Sequence, residues 1–213
     1  MKLYHYVHCP FCIRVRMGFG FLGIAYESKV LSYQDEQTPK QLTGVKMLPI
    51  LEISKSFSIN ESLDILKKFD TQNLLNWEAL DKLKDEIDLL LSNLGLPVHS
   101  LCMPYWAWTP EFNPISRAYF QEKKEAKRGP FKNLIKQKDQ YLTSLNHILA
   151  NEVETALTPF YKSSTFSIID IMIAAHLWGM YIFPEFQFTP KMHQYLQTVK
   201  AKTLFDYHQD FWK

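Results

Sequence analysis

Leu3-Tyr4-His5-Tyr6-Val7-His8-Cys9-Pro10-Phe11-Cys12 is the stretch on which the reading of this chain turns. Leu3 to Val7 has the apolar and aromatic character of a short strand, and Pro10 suits the first turn of a helix. A strand ending at His8 and a helix starting at Pro10 set Cys9 at the positive end of that helix. Unsatisfied backbone N–H groups and a partial positive charge there favour a thiolate over a thiol. Thiols so placed have pKa values of about 3.5 to 7.5 rather than about 8.5. Cys9, nearer the terminus, is therefore the expected attacking thiolate. Cys12, one turn in, is the expected resolving thiol. A zinc half-site would need a second pair of ligands, and Cys102 is the only other cysteine. Two merely structural thiols would need neither the proline nor the helix start.

Outward from this motif the first 70 residues alternate strand-like and helix-like pieces. Pro10 to Leu22 reads as a helix with Gly23 at its end, Tyr26 to Leu31 as a strand and Thr38 to Leu42 as a short helix. Pro49 to Glu52 and Phe57 to Ile59 read as a hairpin around Ser54-Lys55-Ser56, and Ser62 to Phe69 as a helix. This order makes an α/β sandwich. Beyond the polar Thr71-Gln72-Asn73 strand signals almost vanish. Trp77 to Leu94 returns Leu80, Leu83, Ile87, Leu90, Leu91 and Leu94 to one face. Ser116 to Lys127, Phe131 to Val153, Ser167 to Met180 and Pro190 to Lys200 are further helix candidates. Pro97, Pro104, Pro110, Pro114 and Pro130 are expected to fall between helices. The reading is two domains, 1–71 and an all-α 77–213, with 72–76 as linker.

Composition narrows the function classes. A formal net charge of +2 gives no electrostatic case for nucleic acid or an anionic membrane. Three cysteines in 213 residues are no disulfide framework, so a reducing compartment is expected. Met1 to Tyr6 starts a strand pattern without the apolar segment of a signal peptide. Phe166 to Phe183 is the most apolar stretch, but Asp170, His176 and Gly179 interrupt it, and it reads as the central helix of the helical domain. A cytoplasmic protein without metal is expected.

Other residues carry two readings each. Pro49 in Met47-Leu48-Pro49-Ile50-Leu51 suits a strand entry, and on base rates alone its peptide bond would be trans. Asn60-Glu61-Ser62 reads as ordinary capping of the next helix, or as a seat where free N–H groups and the Ser62 hydroxyl hold a carboxylate while Glu61 accepts from an ammonium group. Ser167-Ile168-Ile169-Asp170 is a capping-box sequence. His8 reads as a solvated strand-end histidine or as a group that tunes Cys9, and Arg14 and Arg16 as surface charges or as a source of positive potential on the first helix. Cys102 reads as a small core side chain or a regulatory thiol, and Tyr105, Trp106 and Trp108 as a cluster packed against the first domain or a ligand platform.

Cys9-Pro10-Phe11-Cys12, Leu48-Pro49 and Glu61-Ser62, in this order and spacing, resemble the glutathione-binding thioredoxin-fold domain of glutaredoxins and glutathione S-transferases. A CxxC dithiol joined to a helical second domain is most similar to the bacterial glutaredoxin 2 family. Ala118-Tyr119-Phe120 and Lys123-Lys124-Glu125-Ala126 also resemble that family's helical domain. The resemblance implies a cis Pro49, a Leu48 backbone paired with the cysteinyl part of glutathione, and a γ-glutamyl end held by Glu61 and Ser62. It implies a monomeric glutathione-dependent thiol–disulfide oxidoreductase. Its partners are glutathione and disulfide-bonded or glutathionylated proteins, and glutathione is a co-substrate rather than a tightly bound cofactor. The alternatives are a transferase-type conjugating enzyme, for which a second thiol would be wasteful, and a non-catalytic glutathione-fold interaction module.

Overall fold

Strand β1 (Lys2–His5) pairs in parallel with β2 (Glu27–Val30) and antiparallel with β3 (Ile50–Ser54), which pairs antiparallel with β4 (Phe57–Asn60). The sheet order is β2-β1-β3-β4. A parallel pair needs a crossover, and α1 (Pro10–Leu22) supplies it. Helices α2 (Gln37–Thr43) and α3 (Ser62–Phe69) complete the α/β unit of this computed structural model, which describes residues 1–206. The last residues assigned to the helical domain, 207–213, lie outside the described residues.

The helical unit comprises α4 (Trp77–Trp106), α5 (Pro114–Arg128), α6 (Phe131–Lys136), α7 (Lys138–Ile148), α8 (Ile168–Leu177) and α9 (Pro190–Thr203). Every residue of α8 is buried, as its apolar sequence implies, and α8 packs against α1, α4 and α9. A capping box starts it. The Ser167 hydroxyl accepts from the Ile169 N–H at 3.2 Å, and the Asp170 carboxylate accepts from the Ser167 N–H at 2.9 Å.

The two units share one apolar core. Ile13, Met17 and Phe19 of α1 belong to the same buried cluster as Ile171, Met172 and Leu177 of α8. Burying each such side chain stabilises by roughly 1.5–3 kcal/mol. Gly20 permits the close approach of α1 to α9, because a Cβ there would lie 1.8 Å from the Thr203 carbonyl oxygen. Gly23 ends α1 at φ +67°, in the left-handed region that glycine enters without strain. The crossing between units is also tied. Asp70 accepts from the backbone N–H groups of Leu74 and Leu75 at 2.8 and 2.9 Å and from Trp77 Nε1 at 2.9 Å.

Several boundaries differ from the sequence reading. Pro97 and Pro104 lie inside α4 and are buried there, so α4 runs twelve residues past Leu94. Burial of the face that carries them outweighs the hydrogen bonds that proline removes. The segment Phe131–Val153 is not one helix. It breaks at Gln137 (φ −94°, ψ 10°) and ends in a π-helical turn, Leu149–Val153. The candidate Ser167–Met180 leaves α-helical geometry after Leu177 and continues as a 3₁₀ turn, Trp178–Tyr181. Of the aromatic trio Trp106 meets the first unit, at the His8 ring. Tyr105 packs on Phe183, and Trp108 is 71% exposed beneath the Arg117 guanidinium. Cys102 is buried, with its thiol on the Gly179 carbonyl. Among the described residues no helix is long and apolar enough to cross a membrane.

Candidate active site

Cys9 stands at the N-cap of α1 in extended geometry (φ −76°, ψ 122°), with Pro10 as the first helical residue. Its carbonyl accepts from the Ile13 N–H at 2.9 Å, so the side chain is fixed over the open end of the helix. All three cysteines are free thiols. Cys9 is partly exposed, whereas Cys12 is wholly buried, with the Tyr6 N–H directed at its sulfur at 3.4 Å.

This placement splits the two thiols chemically. The Cys12 thiol hydrogen-bonds to Cys9 and holds the Cys9 pKa below its ordinary value. The N–H groups of Cys12 and Phe11 and the charge of Lys124 act the same way, against burial. Cys12 is pushed well above its ordinary value, first by burial and then by that same bond with Cys9. Lys124, from α5, is itself lowered by burial and held up by Cys9.

Cys9 opens into a cavity of about 210 Å³ whose walls come from both units. Tyr6, Tyr33 and Leu48 contribute from the first, and Trp106, Phe120 and Lys124 from the second. A larger cavity of about 550 Å³ shares Phe11 and His99 with it and carries Arg14, Arg128 and Asp88. His99 and His176 on this second wall are held neutral. Burial, helped by neighbouring cations, takes them to about 3 and about 4.

The Leu48–Pro49 peptide bond is cis, and Leu48 is buried against Tyr6, Cys12 and Ile50 beside the Cys9 cavity. Glu61 occupies the N-cap of α3 at φ +69° and ψ 109° without a side-chain cap. For a non-glycine residue that region costs of order 1–3 kcal/mol, a pattern that concentrates at ligand sites. The Ser62 hydroxyl does not cap the helix either. It accepts from Arg14 Nη1 at 3.1 Å, which leaves the first turn of α3 with no side-chain cap. Ordinary capping, the plainer reading of this tripeptide, is therefore set aside. Ser167 and Asp170 stand apart from the thiols, at the start of α8.

Three expectations about charge are overturned. His8 is not solvated: it is 6% exposed, and its Nδ1 lies 3.1 Å from Glu111 Oε1. Arg14 is not a surface charge: it is 4% exposed, and burial lowers it to about 10. Arg16 is half-buried, with its guanidinium 4.7 Å from the Phe205 ring. Each lies where α1 meets the helical unit, a surface that a one-dimensional reading leaves exposed. Glu111, Tyr33 and Lys124 were missed as site residues for the same reason. Among the described residues no group of three or more His, Cys, Asp or Glu could hold a metal ion.

Known proteins carry the same arrangement. The family model described as Glutaredoxin 2, C terminal domain, matches residues 86–210. Glutaredoxin 2 of Escherichia coli (strain K12) is 30% identical over 209 residues, which cover 95% of each chain. The chain belongs to the glutaredoxin 2 family. The model of the glutathione S-transferase N-terminal domain matches residues 3–76 of this glutaredoxin 2 homologue. The solved structure of Glutaredoxin 2 from Salmonella typhimurium in complex with glutathione superimposes with a TM-score of 0.85 at 30% identity, covering 98% of this chain and 96% of that one. Glutathione transferase GSTFuA3 from Phanerochaete chrysosporium, at 14% identity and a TM-score of 0.78, shares the fold over 96% of this chain and 97% of its own. The architecture is a thioredoxin-fold unit followed by an all-α unit.

Proposed function

We propose that this glutaredoxin 2-family chain is a glutathione-dependent thiol–disulfide oxidoreductase acting on protein disulfides and glutathione mixed disulfides. The observation that carries the reading is the asymmetry of the thiol pair. Cys9 is lowered and reaches a cavity, while Cys12 is raised and buried behind it. Cys9 thiolate attacks a disulfide sulfur, a Cys9–substrate disulfide forms, and the other sulfur departs as a thiol. Cys12 is then released from part of what restrains it. The hydrogen bond and charge of Cys9 that raise its pKa vanish once the Cys9 sulfur is in a disulfide. Cys12 attacks Cys9, expels the substrate thiol and closes the Cys9–Cys12 bond. One glutathione opens that bond at Cys9, and a second removes the first as glutathione disulfide.

On this reading Leu48 and Pro49 line the seat of the cysteinyl part of glutathione, and Glu61 with Ser62 that of its γ-glutamyl end. The cis peptide, the uncapped start of α3 and the unusual backbone of Glu61 support those assignments. The working division is 1–71 and 77–213, joined by 72–76, in a cytoplasmic monomer.

The test is glutathione-coupled NADPH oxidation with purified variants. Cys9→Ser is expected to abolish turnover. Cys12→Ser is expected to keep most deglutathionylation and lose reduction of protein disulfides. Undiminished turnover in Cys9→Ser would sink the assignment. Rapid conjugation of a chloro-aromatic acceptor, with no turnover of a small hydroxyethyl disulfide, would point to a transferase instead.

A further inference from the structure

His8 immediately precedes the nucleophile and shares its cavity. Its side chain and that of Glu111 are 6% and 8% exposed, and the two are joined at 3.1 Å. Glu111 lies between α4 and α5, so the pair spans the seam between the units. The imidazole is walled by rings: Trp106 at 5.3 Å, Phe112 at 5.2 Å, Phe120 at 5.5 Å and Tyr6 stacked at 5.9 Å. Glu111 Oε2 is buried without a partner. A buried ion pair stabilises no better than well-packed apolar side chains of the same volume, so packing gives no reason for one here. Glu111 occupies Nδ1 and fixes the ring, which leaves Nε2 as the nitrogen free for proton transfer.

We infer that His8, oriented by Glu111, donates a proton from Nε2 to the thiolate that departs when Cys9 attacks a disulfide, and recovers one from the glutathione thiol that next attacks the sulfur bound to Cys9. The inference rests on the oxidoreductase reading above. In the first half, the Cys9–sulfur bond forms and the substrate S–S bond breaks. The departing sulfur takes the electron pair of that bond and the Nε2 proton, leaving a neutral imidazole. In the second half, the incoming glutathione thiol gives its proton to Nε2 as its sulfur bonds to the glutathionyl sulfur and Cys9 leaves as thiolate. Glutathione is the reductant, and the imidazole returns to its starting state. The groups facing His8 are Tyr6 and Cys9 beside it, Tyr33 after β2, His99 of α4, Lys124 of α5 and Glu111. His99 is held neutral by burial.

Leaving-group chemistry separates this role from a structural one. Two glutathione mixed disulfides are compared in single turnover, one releasing 2-mercaptoethanol and the other 2-nitro-5-thiobenzoate. The aromatic thiolate is a stable anion that departs without a proton, whereas the alkyl thiolate gains from one. His8→Gln is expected to slow alkyl thiol release about 100-fold, the scale of general acid catalysis, and aromatic release less than about 5-fold. Glu111→Gln, which keeps shape and volume, is expected to show the same selectivity at about 10-fold. It carries the test if His8→Gln does not fold. Equal losses for both leaving groups, or no loss for either, overturn the inference. A wild-type protein that releases neither thiol overturns the oxidoreductase reading itself.

Discussion

Asp170 and Glu111 are two carboxylates out of water, and the protein treats them in opposite ways. Asp170 accepts from the Tyr161 N–H, the Ser167 N–H and the Tyr195 hydroxyl, each at 2.9 Å, and from the Ser167 hydroxyl at 3.3 Å. Glu111 has one side-chain partner, His8, and an oxygen with none. Asp170 opens the central helix of the all-α unit, and Glu111 lies on the seam, bonded to the residue that precedes Cys9. A carboxylate saturated by donors holds structure in place, because each donor would otherwise be buried unpaired. A buried carboxylate oxygen left without a partner calls for an explanation other than packing.

The largest expected effect lies on the saturated side. Asp170→Ala would strand four buried donors at about 1–3 kcal/mol each, and a loss of about 3–5 kcal/mol is expected after partial relaxation. Urea unfolding measures it, and a loss below about 1 kcal/mol would break the contrast.

Acid unfolding sharpens the contrast for the histidines. His176 bonds the Met172 carbonyl at 2.9 Å and His5 the Ser28 hydroxyl at 2.7 Å, and burial pushes them from 6.5 to about 4 and about 3. With folded values below unfolded ones, their contribution is complete above pH 6.5 and lost as pH falls towards those values. Each can remove up to about 1.4 kcal/mol per pH unit. His176→Gln should flatten the slope of stability against pH between 6.5 and 4 by up to that amount. An unchanged slope would mean that His176 carries no structural burden.

The smallest effect belongs to Glu111. Glu111→Gln preserves volume and a hydrogen bond to His8, so stability should change by less than about 1 kcal/mol while alkyl thiol release slows. A destabilisation matching that of Asp170→Ala would place both carboxylates in the same structural class.

Much of this was legible in the chain itself. Pro10 and Gly23 bracket α1, and Ser62–Phe69 and Pro190 open their helices where local propensity puts them. Cys9 and Cys12 declared the chemistry, because a thiol's position on a helix follows from nearest neighbours in sequence. The alternation of the first 70 residues and the helical periodicity beyond them announced the two architectures.

Other features needed the third dimension. Pro97 and Pro104 read as breaks, yet α4 runs through both because burial there overrides local preference. Arg14 meets Ser62 across 48 residues, and His8 meets Glu111 across 103. No local pattern encodes such partners, since charge and exposure at His8 are set by whatever the fold lays over it. The sequence by itself determined the fold class and the place of Cys9 at the start of a helix. The tertiary structure alone decided the walls of the cavity and the partners of the buried charges. The physical reason is range: helix ends act over a few residues, whereas desolvation depends on every segment packed around a group.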